Sequence, residues 1–237
     1  MQLLDAEHSC FTVGAPEAGD IDVHLFDLDR VDRVEASDLL DGEQARSERF
    51  HKPEDGRHFL ARRVLLRQLL AQRTGRAPHE LGATPDAHGR PVIEGIEPLR
   101  FNSSRTRNWF AVAIHAGERG TPGIDIECSR ELPDSGALSR RVFSPEERAS
   151  LGEGVDPGSD RLFRVWTRKE AVLKAVGRGL SIDPSLITVT LADDLQGDRV
   201  DVPDPASGDS WRVCLWDVVD DRAPRGLFLA AALAAPA

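Results

Sequence analysis

Residues 123–127 read Gly-Ile-Asp-Ile-Glu, a short run in which isoleucines alternate with carboxylates. On a β-strand successive side chains point to opposite faces, so Asp125 and Glu127 would share one face and Ile124 and Ile126 the other. Adjacent carboxylates repel each other unless a cation lies between them, and hard divalent ions such as magnesium prefer oxygen ligands. The run therefore predicts a strand that carries half of a metal site. A solvated pair of carboxylates on an exposed strand edge is the alternative.

A second segment with both acidic and basic side chains follows at residues 166–174, which read Trp-Thr-Arg-Lys-Glu-Ala-Val-Leu-Lys. On a helix, Trp166, Glu170 and Lys174 fall on one stripe, where an acid and a base could serve a metal and a phosphate together. Two simpler interpretations stay open. Thr167 and Glu170 have capping-box spacing, and Glu170 with Lys174 could form an ordinary surface ion pair of little energetic value.

Together and in this order, the two segments resemble the signature of the Sfp-type 4′-phosphopantetheinyl transferases. That family pairs a Gly-Ile-Asp-Ile-Glu strand with a later Trp-(Ser/Thr)-x-Lys-Glu-(Ala/Ser)-x-x-Lys helix. Other segments that resemble the family's motifs are Arg49–Lys52 with Glu54 and Asp55, Gly89–Pro91, Phe101–Ser104, Phe143–Glu147 and Gly177–Ser181. The family usually has His after the Ser of Phe-Asn-x-Ser, and this chain has Arg105 there. Arg90 likewise replaces the Lys of the family's Gly-Lys-Pro turn.

The resemblance implies an α+β fold of two pseudo-symmetric halves, each a small antiparallel sheet packed with helices. We expect residues 1–119 to form an N-terminal half that binds the phosphates and adenine of coenzyme A. Residues 120–237 would form a C-terminal half with the metal site and the carrier-protein docking surface. A Gly/Pro-rich turn at residues 116–122 marks the boundary.

The resemblance also implies the reaction. An enzyme of the holo-[acyl-carrier-protein] synthase type moves the 4′-phosphopantetheine group of coenzyme A to a serine of an apo acyl or peptidyl carrier protein, with release of adenosine 3′,5′-bisphosphate. Asp125, Glu127 and Glu170 would hold Mg²⁺, with Mn²⁺ as the alternative ion. Glu127 is the first candidate for the base and Lys174 the second. The residues expected to bind the coenzyme are Arg46, Arg90, Ser104, Arg105, Asp125 and Lys174.

A non-catalytic relative that binds coenzyme A in a regulatory or interaction role is the competing interpretation. The missing His at position 105 favours it, whereas the complete set of acidic residues and Lys174 oppose it. Guanidinium is itself a good phosphate donor, so binding at Arg105 can survive the replacement.

Composition limits the other classes of function. The chain has 237 residues, 40% of them hydrophobic, and a net charge of −10, which disfavours nucleic-acid binding because that needs a basic face. The 3 cysteines lack metal-ligand spacing, and no signal peptide or membrane span is visible. We therefore expect a cytoplasmic monomer. Its carrier surface is predicted between Arg140 and Arg164, with Arg140, Arg141, Phe143 and Leu151.

Local patterns predict the main elements. Pro53 followed by acids starts a helix that should end near Arg73, and Ser144 with Glu147 marks another helix start. A further helix is expected over residues 160–176. Expected strands cover residues 23–26, 99–102, 109–114, 123–127, 187–191, 211–218 and 227–232, with a hairpin connection at 103–108.

Overall fold

The structure, a computed structural model, describes residues 8–15, 19–31, 34–86, 89–132, 135–151, 158–178, 181–193, 195–203, 208 and 210–236. The helices are α1 (Glu43–Ser47), α2 (Pro53–Thr74), α3 (Ser135–Val142), α4 (Pro145–Leu151) and α5 (Gly158–Val176). The strands of the first half are β1 (His8–Ala15), β2 (Gly19–Asp27), β3 (Thr84–Pro85), β4 (Pro91–Val92), β5 (Arg100–Thr106) and β6 (Trp109–His115). Those of the second half are β7 (Thr121–Cys128), β8 (Gln196–Pro203), β9 (Ser210–Asp217) and β10 (Leu227–Pro236).

Two antiparallel four-stranded sheets organise the chain, in the orders β1-β2-β6-β5 and β7-β10-β9-β8. The same unit occurs in both: a strand, a long helix and a hairpin whose last strand pairs with the first strand. In the first half this unit is β2–α2–β5–β6, and in the second it is β7–α5–β9–β10. The predicted α+β class of antiparallel sheets packed with helices is confirmed.

Helix α2 packs on one face of the first sheet and buries most of its apolar side chains there. It begins at Pro53 and ends at Gly75, whose φ of 70° gives the left-handed C-terminal cap that glycine adopts without strain. Helix α5 packs on the second sheet in the same way. A third apolar cluster joins the two sheets, with Ile21 and Val23 from β2 against Ile124 and Ile126 from β7.

Gly123 sets how closely β7 approaches α5. A Cβ atom at this position would lie 2.1 Å from the carbonyl oxygen of Ala171 and 2.4 Å from the amide nitrogen of Ala175. These distances are below contact, so only glycine allows the backbones of strand and helix to meet here. The close approach brings Asp125, two residues later, within reach of Lys174 on α5.

Strand β5 is longer than the sequence pattern indicates. The predicted hairpin is confirmed, but its connection is shorter than the predicted residues 103–108, because the strand continues to Thr106 and the turn contains only Arg107 and Asn108. Arg107 has a φ of 50°, a left-handed conformation that is uncommon outside glycine and that nothing in the local sequence predicts. As a result, Ser104 and Arg105 lie on a strand and point to opposite faces.

The strand predicted at residues 187–191 is wrong. A 3₁₀ helix at Pro184–Leu186 leads into irregular backbone, in which Ile187 and Val189 are nevertheless buried. The amide of Val189 donates to the Glu147 carboxylate at 2.7 Å, so a side chain satisfies this backbone donor in place of a neighbouring strand. Strands β1 and β8 and helix α3 were not predicted. None of the described helices combines the length and apolarity that crossing a membrane requires.

Candidate active site

Asp125 is the centre of a polar cluster between the two halves. It is only 5% exposed, and its Oδ1 accepts from Lys174 Nζ at 2.6 Å and from Ser104 Oγ at 2.8 Å. Its Oδ2 is buried and has no hydrogen-bond partner. The interpretation of Asp125 as a solvated surface carboxylate is therefore wrong. An uncompensated buried oxygen is costly, and a cation or other ligand facing Oδ2 would remove the penalty.

Two more carboxylates share this environment. Burial, followed by the nearby charge of Asp125, raises the pKa of Glu127, while Arg130, Thr106 and Lys174 act in the opposite direction. Burial and the charge of Asp125 also raise the pKa of Glu170, and Lys174 opposes the rise. The carboxylates thus repel one another, and the cations around them do not compensate fully.

This donor set fits a hard divalent cation, because carboxylate oxygens are its preferred ligands and Asp125 Oδ2 lacks a partner. The carboxylate oxygens of Asp125, Glu127 and Glu170 do not all lie close to one another. Among the described residues, the ligand atoms of Asp29, Glu54 and His58 do lie within 4.8 Å of one another, and those of Asp125, Glu127 and Glu170 do not form such a set. The proximity of Asp29, Glu54 and His58 has a structural explanation. His58 Nε2 lies 3.0 Å from Asp29, and Glu54 lies in the first turn of α2, where an acidic side chain is favourable.

The capping interpretation of Glu170 is wrong. Helix α5 starts at Gly158, well before Thr167, and Thr167 Oγ1 donates to the Phe163 carbonyl inside the helix. The predicted helix start at Ser144 is confirmed instead: Glu147 N donates to Ser144 Oγ at 3.2 Å, and Ser144 N donates to Glu147 at 2.7 Å.

Helix α5 is secured by Lys169, the residue next to Glu170. Lys169 is fully buried, and its Nζ donates to Glu147 at 2.7 Å, to the Val142 carbonyl at 2.6 Å and to the Pro184 carbonyl at 3.0 Å. All three ammonium hydrogens therefore have acceptors. The contact fixes the rotation of α5 and hence the side on which Glu170 and Lys174 lie.

A basic cavity of about 580 Å³ lies in the N-terminal half, on the opposite face of β5. Burial and the charges of Arg105, Arg63 and Arg46 lower the pKa of Arg62 to about 10. Phe59 lies beneath the guanidinium groups of Arg46 and Arg63, which are 5.1 and 5.4 Å from its ring centre. The lining includes four arginines, Arg46, Arg62, Arg63 and Arg105, an arrangement that is chemically suited to a ligand with several negative charges.

The structure distributes the residues expected to bind the coenzyme over three places. Arg46 and Arg105 line the basic cavity, whereas Ser104 joins Asp125 and Lys174 on the other face of β5. Arg90 does not line that cavity, and its guanidinium donates to the carbonyls of Phe101 and Pro122, each at 3.4 Å.

Sequence reasoning left Arg62 and Arg63 out of the site. One signal was available, since arginines within the apolar pattern of α2 need anionic partners.

The predicted carrier surface needs one correction. Arg140 and Arg141 are exposed at the end of α3, but Phe143 is only 1% exposed and belongs to the C-terminal core. Leu151 is partly buried against the same core. Phe143 and Leu151 therefore contribute to folding, and of the four residues named for this surface only Arg140 and Arg141 are exposed.

The sequence profile of the 4′-phosphopantetheinyl transferase superfamily matches residues 121–224. A putative 4′-phosphopantetheinyl transferase of Synechocystis sp. is 30% identical over 187 residues, covering 78% of this chain and 74% of the relative. The 4′-phosphopantetheinyl transferase HetI of Nostoc sp. is 34% identical over 150 residues, 62% of each chain. The transferase Sfp of Bacillus subtilis is 28% identical over 160 residues, 67% of this chain and 69% of the relative. The chain thus belongs to the 4′-phosphopantetheinyl transferase superfamily.

Proposed function

We propose that the protein transfers the 4′-phosphopantetheine group of coenzyme A to a serine of an apo acyl or peptidyl carrier protein, as a holo-[acyl-carrier-protein] synthase. The observation that carries this proposal is the placement of two incompletely compensated charge clusters on the two faces of β5. Asp125 and its neighbours lie on one side, and the basic cavity lies on the other. A ligand with several phosphates that also binds a cation satisfies both clusters at once.

The basic cavity is proposed to bind the end of coenzyme A that carries its adenine and 3′-phosphate. Arg46, Arg62, Arg63 and Arg105 supply charge-assisted hydrogen bonds to phosphate oxygens. Phe50 and Phe59, with ring centres 5.5 Å apart, provide aromatic surface beside them. Arg105 thus takes the place that His occupies in the resembled motif, and guanidinium suits the task because it stays charged and binds phosphate at two points.

Asp125, Glu127 and Glu170 are proposed to hold Mg²⁺ or Mn²⁺. When bound, this ion supplies compensation for the negative charge that develops on the pyrophosphate. Lys174 is placed to contact a phosphate oxygen, because its ammonium already lies between Asp125 and Ser104. The proton of the carrier serine passes to Glu127, the first candidate for the base; Lys174, the second, could accept it only as the neutral amine.

The carrier protein is proposed to dock on the C-terminal half, where Arg140 and Arg141 offer exposed positive charge. Carrier proteins of this class are acidic helical bundles, and the enzyme itself has a net charge of −10, so docking depends on a local basic patch. We further propose that the enzyme acts as a monomer in the cytoplasm. Its three cysteines are free thiols, as expected for a protein of a reducing compartment.

Mass spectrometry of an apo carrier protein tests the proposal. Incubation with this protein, coenzyme A and Mg²⁺ is expected to add one phosphopantetheine group per carrier and to release adenosine 3′,5′-bisphosphate. Omission of the metal, or excess chelator, should abolish the addition. Tight binding of coenzyme A without any transfer, across acyl and peptidyl carriers, would instead favour the non-catalytic relative, the interpretation suggested by Arg105.

A further inference from the structure

Strands β5 and β7 meet at the junction of the two halves, each at the edge of its own sheet. Side chains connect them: Ser104 Oγ donates to Asp125 Oδ1 at 2.8 Å, and Thr106 Oγ1 donates to Glu127 Oε2 at 3.5 Å. The sequence separation is 21 residues in both pairs, so the two edges run in the same direction and in step. A hydroxyl on one half is thereby matched with a carboxylate on the other, twice in succession.

A third side chain sets the alignment of the two strands. Asn102, at the preceding position on the same face of β5, accepts from the amide of Ile124 at 3.2 Å. Both Asn102 and Thr106 are buried. Asn102, Ser104 and Thr106 alternate along β5 and therefore share one face. This polar face substitutes for the backbone hydrogen bonds that would otherwise join neighbouring strands.

The Ser104 hydroxyl has a defined orientation. It accepts from Lys174 Nζ at 3.0 Å, and its single hydrogen is donated to Asp125 Oδ1. Oδ1 also accepts from Lys174, which leaves Oδ2 as the oxygen without a partner. Ser104, together with Lys174, therefore determines which oxygen of Asp125 is left without a partner.

Thr106 performs the same task for Glu127. Its Oγ1 accepts from the Cys128 amide at 3.4 Å, and this bond directs the hydroxyl hydrogen away from the β7 backbone. Glu127 Oε2 is within donating distance. Arg130, whose Nη1 lies 3.6 Å from the same oxygen, is half-exposed, whereas Thr106 is buried.

We infer that Ser104 and Thr106 are positioning residues that hold Asp125 and Glu127 in the orientation required to bind a divalent cation. The inference rests on the proposed function, and it places the alignment of a C-terminal metal site under the control of the N-terminal half. Partners of metal-binding carboxylates commonly change metal affinity by about 10–100-fold when they are removed.

For Ser104 this inference competes with the role expected from the sequence, direct contact with a coenzyme phosphate. The two roles differ in the kinetic constant they affect. A phosphate contact raises the KM for coenzyme A when it is removed. Removal of a positioning contact lowers kcat and weakens metal binding, and it leaves the KM for coenzyme A unchanged.

The test compares four variants of the full-length protein: Ser104→Ala, Thr106→Val, Thr106→Ser and Thr12→Val. Thr12 donates to Asp22 at 2.9 Å on β1, so its valine variant removes a threonine–carboxylate bond remote from the site and serves as the matched control. The measurements are the Kd for Mn²⁺ by electron paramagnetic resonance, kcat, the coenzyme KM and the melting temperature.

We expect the Mn²⁺ Kd to rise about 10-fold or more in Ser104→Ala and in Thr106→Val, with a parallel fall in kcat. Thr106→Ser, which keeps the hydroxyl, and Thr12→Val should match the wild type. If Thr106→Val fails to fold, Ser104→Ala at its half-buried position carries the same test. Wild-type Mn²⁺ affinity in both hydroxyl-free variants, or a raised coenzyme KM with unchanged metal affinity, would overturn the inference.

Failure of the proposed function gives a different result. A wild-type protein that binds Mn²⁺ but modifies no carrier would refute the transferase proposal. The Mn²⁺ Kd values of the variants would still decide whether the two hydroxyls position the carboxylates.

Discussion

The two faces of β5 carry opposite charge imbalances. On one face, the pKa values of Glu127 and Glu170 are raised because negative charges are crowded and buried. On the other, the pKa of Arg62 is lowered because positive charges are crowded and buried. Either cluster alone would be unfavourable for folding. Their placement one strand apart supports the proposal that a single ligand compensates both, through its phosphates on the basic side and through a cation on the acidic side.

The two clusters differ in how their helices are anchored. Helix α5, which carries Glu170 and Lys174, is held by the fully buried pair of Lys169 and Glu147. Helix α2, which carries Arg62, is held by Arg67, whose contacts to Glu43 include one of 2.7 Å. Lys169 and Glu147 are less exposed than Arg67 and Glu43, and every ammonium hydrogen of Lys169 has an acceptor. Firm anchoring of this kind suits a site where small displacements of carboxylates would change metal affinity.

The largest expected effect follows from that difference in anchoring. Replacing Lys169 with methionine leaves Glu147 buried without its cation, and the free energy of unfolding should fall by about 3–5 kcal/mol. Arg67→Met leaves the partly accessible Glu43, so the loss should be smaller, about 1–3 kcal/mol. Urea denaturation measures both. Equal decreases in the free energy of unfolding would show that Lys169 and Arg67 anchor their helices equally well.

The second prediction separates charge from fold at the acidic site. Glu170→Gln removes one negative charge from the proposed metal ligands and should lower transfer on the order of 100-fold, with partial recovery at higher Mg²⁺. The melting temperature should be retained, because the neutral amide removes both the buried charge and the repulsion from Asp125 that raise the pKa of Glu170. Asp125→Asn should behave similarly. Glu118→Gln, at an exposed position outside the segment predicted to contact the carrier, is the control. Normal turnover of Glu170→Gln at low Mg²⁺ would refute the metal role.

The sequence was sufficient where local pattern decides structure. Helix α2 was predicted to within one residue, and its start is marked by local signals, Pro53 and the acids after it. The shared face of Asp125 and Glu127 follows from the period of a strand. Recognition of the transferase family, now confirmed, depended on motifs of this local kind.

What could not be predicted depends on contacts between distant segments. The pairing of Ser104 with Asp125 needs the junction of two sheets, and the basic cavity needs α2 to cover β5. The extent of β5 depends on the left-handed conformation of Arg107, for which the sequence holds no glycine signal. Residues 187–191 have the alternating apolar pattern of a strand, but the amide of Val189 donates to the Glu147 carboxylate and not to a neighbouring strand.

The third prediction concerns the basic face. Arg105→Ala and Arg62→Ala should each weaken coenzyme A binding by about 1.5–3 kcal/mol, the range for a hydrogen bond to a charged group. The loss at Arg62 should be the smaller, because its removal also relieves repulsion among Arg46, Arg63 and Arg105. Isothermal titration calorimetry measures both, and Arg199→Ala on β8 serves as the control. Unchanged affinity in both variants would show that the cavity does not bind the coenzyme.

The smallest effect is a dependence of metal stabilisation on pH. A carboxyl group whose pKa is raised in the folded state favours folding while protonated, and this contribution is lost as the pH rises from the ordinary value of 4.5 through the raised value. A bound cation compensates the charge that appears. Mg²⁺ should therefore raise the melting temperature by a few degrees, about 2–4 °C, at pH 7.5 and by less at pH 5. Differential scanning fluorimetry of the wild type and of a Glu127→Gln, Glu170→Gln double variant measures the difference. The double variant should lose both the response to Mg²⁺ and its pH dependence, since neither neutral amide titrates. An equal response to Mg²⁺ in the two proteins would place the ion elsewhere on the molecule.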